Sequence, residues 1–189
     1  MPAFDQLVLT TPRLRLRALG DGDAAALMVI RGDPEVVRFL SAPAWTSIDK
    51  AREKIARDVE AMRKGDYVQL GIERVEDGRV VGDCCLFKLM AGQRRAEIGY
   101  SLRRDAWGHG YAHEATGALI AWGFGELGLH RIEADIDPRN TASARVLERH
   151  GFQREGLLRE RWIVNGELSD TAFYGLLAPE WPARRVPNA

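Results

Sequence analysis

The run Arg103-Arg104-Asp105-Ala106-Trp107-Gly108-His109-Gly110-Tyr111-Ala112 constrains the fold of this chain more than any other stretch. Before it, Glu97-Ile98-Gly99-Tyr100-Ser101-Leu102 alternates as a strand does. After it, Tyr111 to Leu127 is apolar, helix-length and free of proline. The order is strand, glycine-bearing turn, helix. Such a turn aims several backbone N–H groups at one point, and the helix N-terminus adds partial positive charge there. Together they suit a phosphate or another anion. Gly108 and Gly110 let the backbone approach a ligand with no Cβ between them. Taken alone, the Gly-x-Gly pair matches neither the dinucleotide fingerprint nor the Gly-Lys-Ser/Thr phosphate loop. A loop that only starts a helix has the same spelling.

The rest of the chain narrows the class. Its 189 residues suit one domain, residues 1–189, with a core over about 9–181 and a loose tail at 182–189. Lys+Arg and Asp+Glu both number 27, so no net charge draws the chain to nucleic acid or an anionic membrane. No apolar run reaches bilayer length, and Met1-Pro2-Ala3-Phe4-Asp5 lacks the basic and apolar segments of a signal peptide. Cys84 and Cys85 are neighbours, so on a strand they face opposite ways and are poorly placed to bridge each other. They read as reduced, buried thiols of a cytoplasmic protein, and no Cys or His spacing suggests a metal.

Alternation marks strands at Leu14–Arg17, Val68–Ile72, Arg79–Met90, Arg95–Leu102, Arg131–Ile136, from Phe152, and at Thr171–Leu177. Asp77-Gly78 and Asn165-Gly166 are hairpin signals. Helices are predicted over Ala24–Arg31, from Pro34 through Leu40, over Ile48–Lys64 capped by Ser47, over Tyr111–Leu127 ended by Gly128, and over Thr141–His150 capped by Asn140. The early strands form an antiparallel meander. The strand–helix–strand unit around Tyr111–Leu127 requires a parallel pairing.

In this order, several segments resemble one family. Trp107-Gly108-His109-Gly110-Tyr111-Ala112 looks like the acetyl-CoA loop of the GNAT superfamily of N-acetyltransferases. Thr11-Pro12-Arg13-Leu14-Arg15-Leu16-Arg17, Ala96-Glu97-Ile98-Gly99-Tyr100, Asn140-Thr141-Ala142-Ser143, Gly151-Phe152 with Glu155-Gly156, and Tyr174-Gly175-Leu176-Leu177 are similar to its RimJ/RimL-type branch. The resemblance spans about Leu9 to Trp181. It implies an α/β (α+β) fold: a mixed, mostly antiparallel twisted sheet of about seven strands, helices on both faces, and a splay between the fourth and fifth strands. It also implies acetyl-CoA as cosubstrate, an amine acceptor (a protein N-terminus or a small molecule), no metal, and a monomer or homodimer. The first position of the loop pattern is Asp105 where the family has Gln or Arg. Arg103 and Arg104 are near enough in sequence to offset that carboxylate.

The resemblance assigns roles to residues. Tyr100 to Leu102 would pair with the pantetheine arm. Arg103, Arg104, Trp107, Gly108, His109, Gly110, Tyr111 and Ala112 would form the cofactor loop, with Asn140 beside it. Glu97 is the candidate base, or else a surface carboxylate paired with an arginine such as Arg95. Ser143 is the candidate donor to the leaving thiolate, or else the third residue of an ordinary capped helix. His109 projects outward from the turn. His130 and His150 sit where an imidazole favours a helix C-terminus. Trp107 and Trp122 read as packing. The acceptor pocket is expected from the helices within Ala24–Lys64 and the hairpin at Asn165-Gly166, with Arg38, Phe39, Trp45 and Trp162 as its residue types. A non-catalytic acyl-CoA-binding module is the alternative reading.

Overall fold

The computed structural model describes residues 2–164 and 166–181. The expected tail at 182–189 and Asn165 of the second hairpin lie outside them. Among the described residues eight strands form one sheet: β1 (Val8–Thr10), β2 (Leu14–Arg17), β3 (Val68–Arg74), β4 (Val80–Met90), β5 (Arg95–Leu102), β6 (Arg131–Ile136), β7 (Gln153–Val164) and β8 (Glu167–Leu177). Their spatial order is β1-β2-β3-β4-β5-β6-β8-β7. The sequence reading has one strand fewer. It misses β1, a three-residue edge strand with Val8 exposed. So short a piece carries no visible alternation.

Among the described residues five helices cover the sheet: α1 (Ala24–Arg31), α2 (Pro34–Val37), α3 (Ile48–Lys64), α4 (Tyr111–Gly125) and α5 (Thr141–Arg149). Asp33 caps α2 through the Glu35 N–H, with proline in its first turn. The helix stops at Val37, short of the expected Leu40. α4 stops at Gly125, also short, and Gly128 takes its positive φ in the turn beyond. Ser47 and Asn140 cap α3 and α5 as expected, and Gly65 ends α3 in the left-handed region.

The two sheet faces differ. Leu14, Leu16, Leu70, Ile72 and Leu86 pack with Ala115, Leu119 and Ile120 of α4. The opposite face holds a smaller cluster with Leu19, Leu27, Ile30, Ala51 and Ile55. β3 is therefore buried on both faces, which its alternation does not announce. Gly71 is needed there because a Cβ would sit 2.1 Å from Leu19 Cδ2. The buried carboxylate of Glu73 is held by Arg15 and Arg17.

The feature that makes the site is the junction of β5 and β6. They pair in parallel only at Arg95 with Arg131, Ala96 with Ile132 and Glu97 with Glu133. Past Glu97 the strands part. β5 stays paired with β4 as far as Leu102, while β6 pairs with β8 to Ile136. The edge of β5 from Ile98 to Leu102 is thus left open toward α5, which is the expected splay.

Candidate active site

The turn after β5 is built from side-chain and backbone locks. Trp107 Nε1 donates to the Leu102 carbonyl at 2.8 Å, folding the turn back on the strand. Gly108 and Gly110 adopt φ of +78° and +79°, so backbone conformation by itself favours glycine at both positions. A Cβ on Gly108 would meet open space. Gly110 is the N-cap of α4. Asp105 turns away into ion pairs with Arg103 at 2.5 Å and Arg79 at 3.1 Å. Arg103 thus offsets it as expected, whereas Arg104 instead pairs with Asp33 at 3.1 Å.

The turn opens on a cleft of about 540 Å³. Tyr100, Leu102, Trp107, Gly108, Gly110, Tyr111, Ala112, Asn140 and Ser143 line it. Arg103, Arg104 and His109 lie outside its wall. Trp107 is 45% exposed, so it is a cleft residue and not a packed one. Trp122 does pack, edge-on to Phe4. The sequence reading missed Arg145 and Arg149, spaced four apart on α5, which put positive charge on the far wall with Arg38. In sequence they look like an ordinary solvated helix face.

A second cavity of about 350 Å³ lies on the other side of Tyr100. Phe39, Leu40 and Tyr100 border both spaces. Its walls include Glu97, Asp135, Asp137, Trp162 and Thr171. Asp135 accepts from Trp162 Nε1 at 3.2 Å and from the Thr171 hydroxyl. Asp137 accepts from Ser169 at 2.8 Å and from Arg139, and these partners hold its carboxyl down at about 2. Neither aspartate stands out in the sequence, because β8 brings Thr171 to Asp135 and Ser169 to Asp137, and β7, paired with β8, brings Trp162 to Asp135. Of the residue types expected in an acceptor pocket, Phe39 and Trp162 border this cavity. Arg38 faces the first cleft, and Trp45 packs in the smaller core cluster.

Glu97 sits at the last paired position before the splay. Its partner is Lys88, whose Nζ lies 2.9 Å from both carboxylate oxygens. Arg95, the partner offered by sequence, pairs with Glu133 instead. The Asn140 side chain accepts from the Ser143 N–H at 3.1 Å, which fixes the first turn of α5. Ser143 Oγ then lies 2.8 Å from the Tyr100 hydroxyl. Burial pushes the Tyr100 phenol up to about 12, against the opposing pull of its bond to Ser143. Cys85 borders the second cavity, but burial, with Asp83 beside it, pushes its thiol up to about 12. It is a poor nucleophile there. His150 ends α5 as expected and also packs inward, stacked on His113 at 4.0 Å with Nε2 2.8 Å from Thr116 Oγ1. Among the described residues no group of three His, Cys, Asp or Glu side chains is placed to hold a metal, and no helix is long and apolar enough to cross a membrane.

A parting pair of parallel strands, a glycine turn at a helix N-terminus and two cavities meeting at the gap define an acyltransferase of the GNAT type. Residues 13–153 match the model of the acetyltransferase (GNAT) domain, and the chain belongs to that family. It is 38% identical over 173 residues to the uncharacterized N-acetyltransferase p20 of Bacillus licheniformis, covering 92% of this chain and 97% of that one. It is 27% identical over 186 residues to the [ribosomal protein uS5]-alanine N-acetyltransferase of Escherichia coli, covering 94% of each. Among solved structures, RimJ of Mycobacterium smegmatis in complex with CoA-disulfide superposes with a TM-score of 0.87 at 26% identity, covering 96% of this chain and 92% of that one. The chain is an N-acetyltransferase of the RimJ/RimL-like kind.

Proposed function

We propose that the protein moves an acetyl group from acetyl-CoA directly to a primary amine, the α-amine of a protein N-terminus or an amine of a small molecule. The observation that carries this reading is the meeting of two cavities at Tyr100, one floored by the glycine turn and the other walled by carboxylates. The first fits acetyl-CoA. Backbone N–H groups at the α4 N-terminus suit a diphosphate, and Arg38, Arg145 and Arg149 add positive charge. The open edge of β5 from Ile98 to Leu102 suits an amide-bearing pantetheine arm. When bound, acetyl-CoA supplies the thioester whose acetyl group is transferred.

The chain's own residues do the rest. The carboxylates of the second cavity favour a cationic amine. Glu97, at its border, takes the ammonium proton, directly or through water. An α-amine, with pKa about 7.7–8.0, needs little help: deprotonating it at pH 7 costs about 1.4 kcal/mol, against about 4.6 for a lysine. A carboxylate pinned by Lys88 suits the first task better. Ser143 donates to the departing sulfur, and Tyr100, neutral through the working pH range, backs it. Cys85 is held as a thiol, which favours direct transfer over an acyl-cysteine route. The name of the Escherichia coli relative supports a ribosomal-protein acceptor. Residues 9–181 make up the acetyltransferase unit.

The test is thiol release from acetyl-CoA with a panel of N-terminal peptides, amino acids, polyamines and aminoglycosides. Turnover with peptides carrying a free α-amine is expected. Binding of acetyl-CoA with no turnover of any amine would leave only the acyl-CoA-binding module.

A further inference from the structure

The segment Thr11-Pro12-Arg13 takes no part in the cleft wall, yet its polar groups converge on the first turn of α4. Glu114 Oε1 accepts from Thr11 Oγ1 at 2.6 Å and from the Arg13 backbone N–H at 2.9 Å. Glu114 Oε2 accepts from Arg13 Nε at 2.6 Å. The same guanidinium then reaches the cofactor turn. Arg13 Nη1 donates to the His109 carbonyl at 2.9 Å. Its Cζ lies 4.8 Å from the Tyr111 ring centroid. Its Nη2 is 3.5 Å from where a Cβ on Gly110 would stand. One side chain therefore touches His109 and Tyr111 and flanks Gly110 between them, and Glu114 orients it.

The His109 carbonyl and the Gly110 N–H belong to one trans peptide plane and point opposite ways. Fixing the carbonyl fixes the amide. Arg13 holds the carbonyl on its own side, so the Gly110 N–H is directed away from Arg13. A charged donor on the carbonyl also polarises the peptide and strengthens that N–H as a donor. We infer that Arg13 is a positioning residue for the diphosphate: from outside the cleft it holds and polarises the His109–Gly110 peptide that faces the anion. This rests on the reading of the turn as the diphosphate seat.

A plain tie between β2 and α4 would need only the pairing with Glu114. Arg13 is half exposed there, and such pairs add little to stability. The bond to His109 is what the inference adds. Lysine keeps the charge beside Glu114 but lacks the fork that reaches both partners.

The experiment is titration calorimetry of the full chain with CoA and with inorganic pyrophosphate. It is paired with thermal unfolding and with kcat/KM for S-acetylpantetheine, which lacks the diphosphate. Arg13→Ala and Arg13→Lys are each expected to weaken CoA and pyrophosphate by the same factor, about tenfold, as for one lost charge-assisted bond. The melting temperature should move by no more than about 4 °C, as for a small surface change in a chain of this size. The kcat/KM for S-acetylpantetheine should stay unchanged. Glu114→Gln, which leaves Arg13 intact and removes one of the two acceptor oxygens that orient it, should weaken CoA by less than Arg13→Ala. Unchanged CoA affinity in both Arg13 variants overturns the inference, and so does an equal loss with S-acetylpantetheine. Gly110→Val separates the two claims. If it abolishes CoA binding while Arg13→Ala does not, the clasp fails and the seat stands. If it too leaves CoA binding unchanged, the seat itself fails.

Discussion

The hydroxyl of Tyr100 lies 2.8 Å from the hydroxyl of Ser143, across the gap where β5 leaves β6. Tyr100 also lies 3.2 Å from the Ser143 carbonyl, and it borders both cavities. If the phenol donates to the serine hydroxyl, that hydroxyl is left to point its own proton toward the cleft. Ser143→Ala is expected to lower kcat by more than tenfold while acetyl-CoA affinity changes less, because a lost proton donor acts in the transition state. Tyr100→Phe should lower kcat by about tenfold, as for one hydrogen bond that orients the donor. Steady-state kinetics with calorimetry check both. Equal losses in turnover and affinity would make the pair structural.

Gly108 and Gly110 both carry positive φ, but only Gly110 has a neighbour near its missing Cβ. Alanine at either position strains the backbone by about 1–2 kcal/mol. A Cβ on Gly108 meets no other atom, and Gly108 lines the cleft. Gly108→Ala is therefore expected to cost no more stability than that strain and to lower acetyl-CoA affinity, with valine worse at both positions. Calorimetry alongside denaturant unfolding checks it. A variant that unfolds without losing affinity when folded would remove the turn from the binding site.

What could be read from the sequence is local. Asp77-Gly78 makes its hairpin, and Asn140 caps α5 through the Ser143 N–H, because each needs only neighbours in the chain. The strand–turn–helix around Gly108 could be read for the same reason. What could not be read is tertiary. Lys88 displaces Arg95 as partner of Glu97 because β4 and β5 are adjacent, with Phe87 opposite Glu97 and a register shift beside it. Arg104 finds Asp33, seventy-one positions away in the chain, only after α2 has folded over the cleft. The hidden face of β3 is visible only once Leu19 covers Gly71. Asp135 and Asp137 gain meaning only when β8 brings Thr171 and Ser169 to them.

Asp137 gives the expected pH dependence. Its carboxyl, almost fully buried, is held at about 2 against an ordinary 3.8, first by the Arg139 side chain and then, against the cost of burial, by the Arg139 N–H and Ser169. A depressed carboxyl stabilises the fold above its unfolded pKa and loses that contribution as pH falls through its folded pKa. The window is therefore about pH 4 down to 2, and the contribution at pH 7 is at most about 2.5 kcal/mol. Asp137→Asn should lose that stability at neutral pH and match the parent near pH 2. Urea unfolding at pH 7, 4 and 2.5 checks it. A constant gap at all three values would mean that the aspartate's charge is not what stabilises the fold.

Glu97 is the sharpest test of the chemistry, because its pairing with Lys88 allows two readings. As a base, it must release one oxygen from Lys88 to take the ammonium proton. As a surface carboxylate, it only anchors Lys88 across the β4–β5 pair. Glu97→Gln keeps the shape and can still bond Lys88 through its amide oxygen, but it cannot act as base. It is expected to lower kcat/KM by about a hundredfold, within the ordinary range for general-base loss. The loss should be larger for a lysine side chain than for an α-amine, since the lysine needs about 3 kcal/mol more deprotonation at pH 7. Lys88→Met removes the competing cation and leaves the carboxylate in place, so activity should persist or rise. Equal losses in Glu97→Gln and Lys88→Met would show that the ion pair matters and the base does not. Proton uptake would then fall to water in the second cavity, which an α-amine with its modest pKa can tolerate.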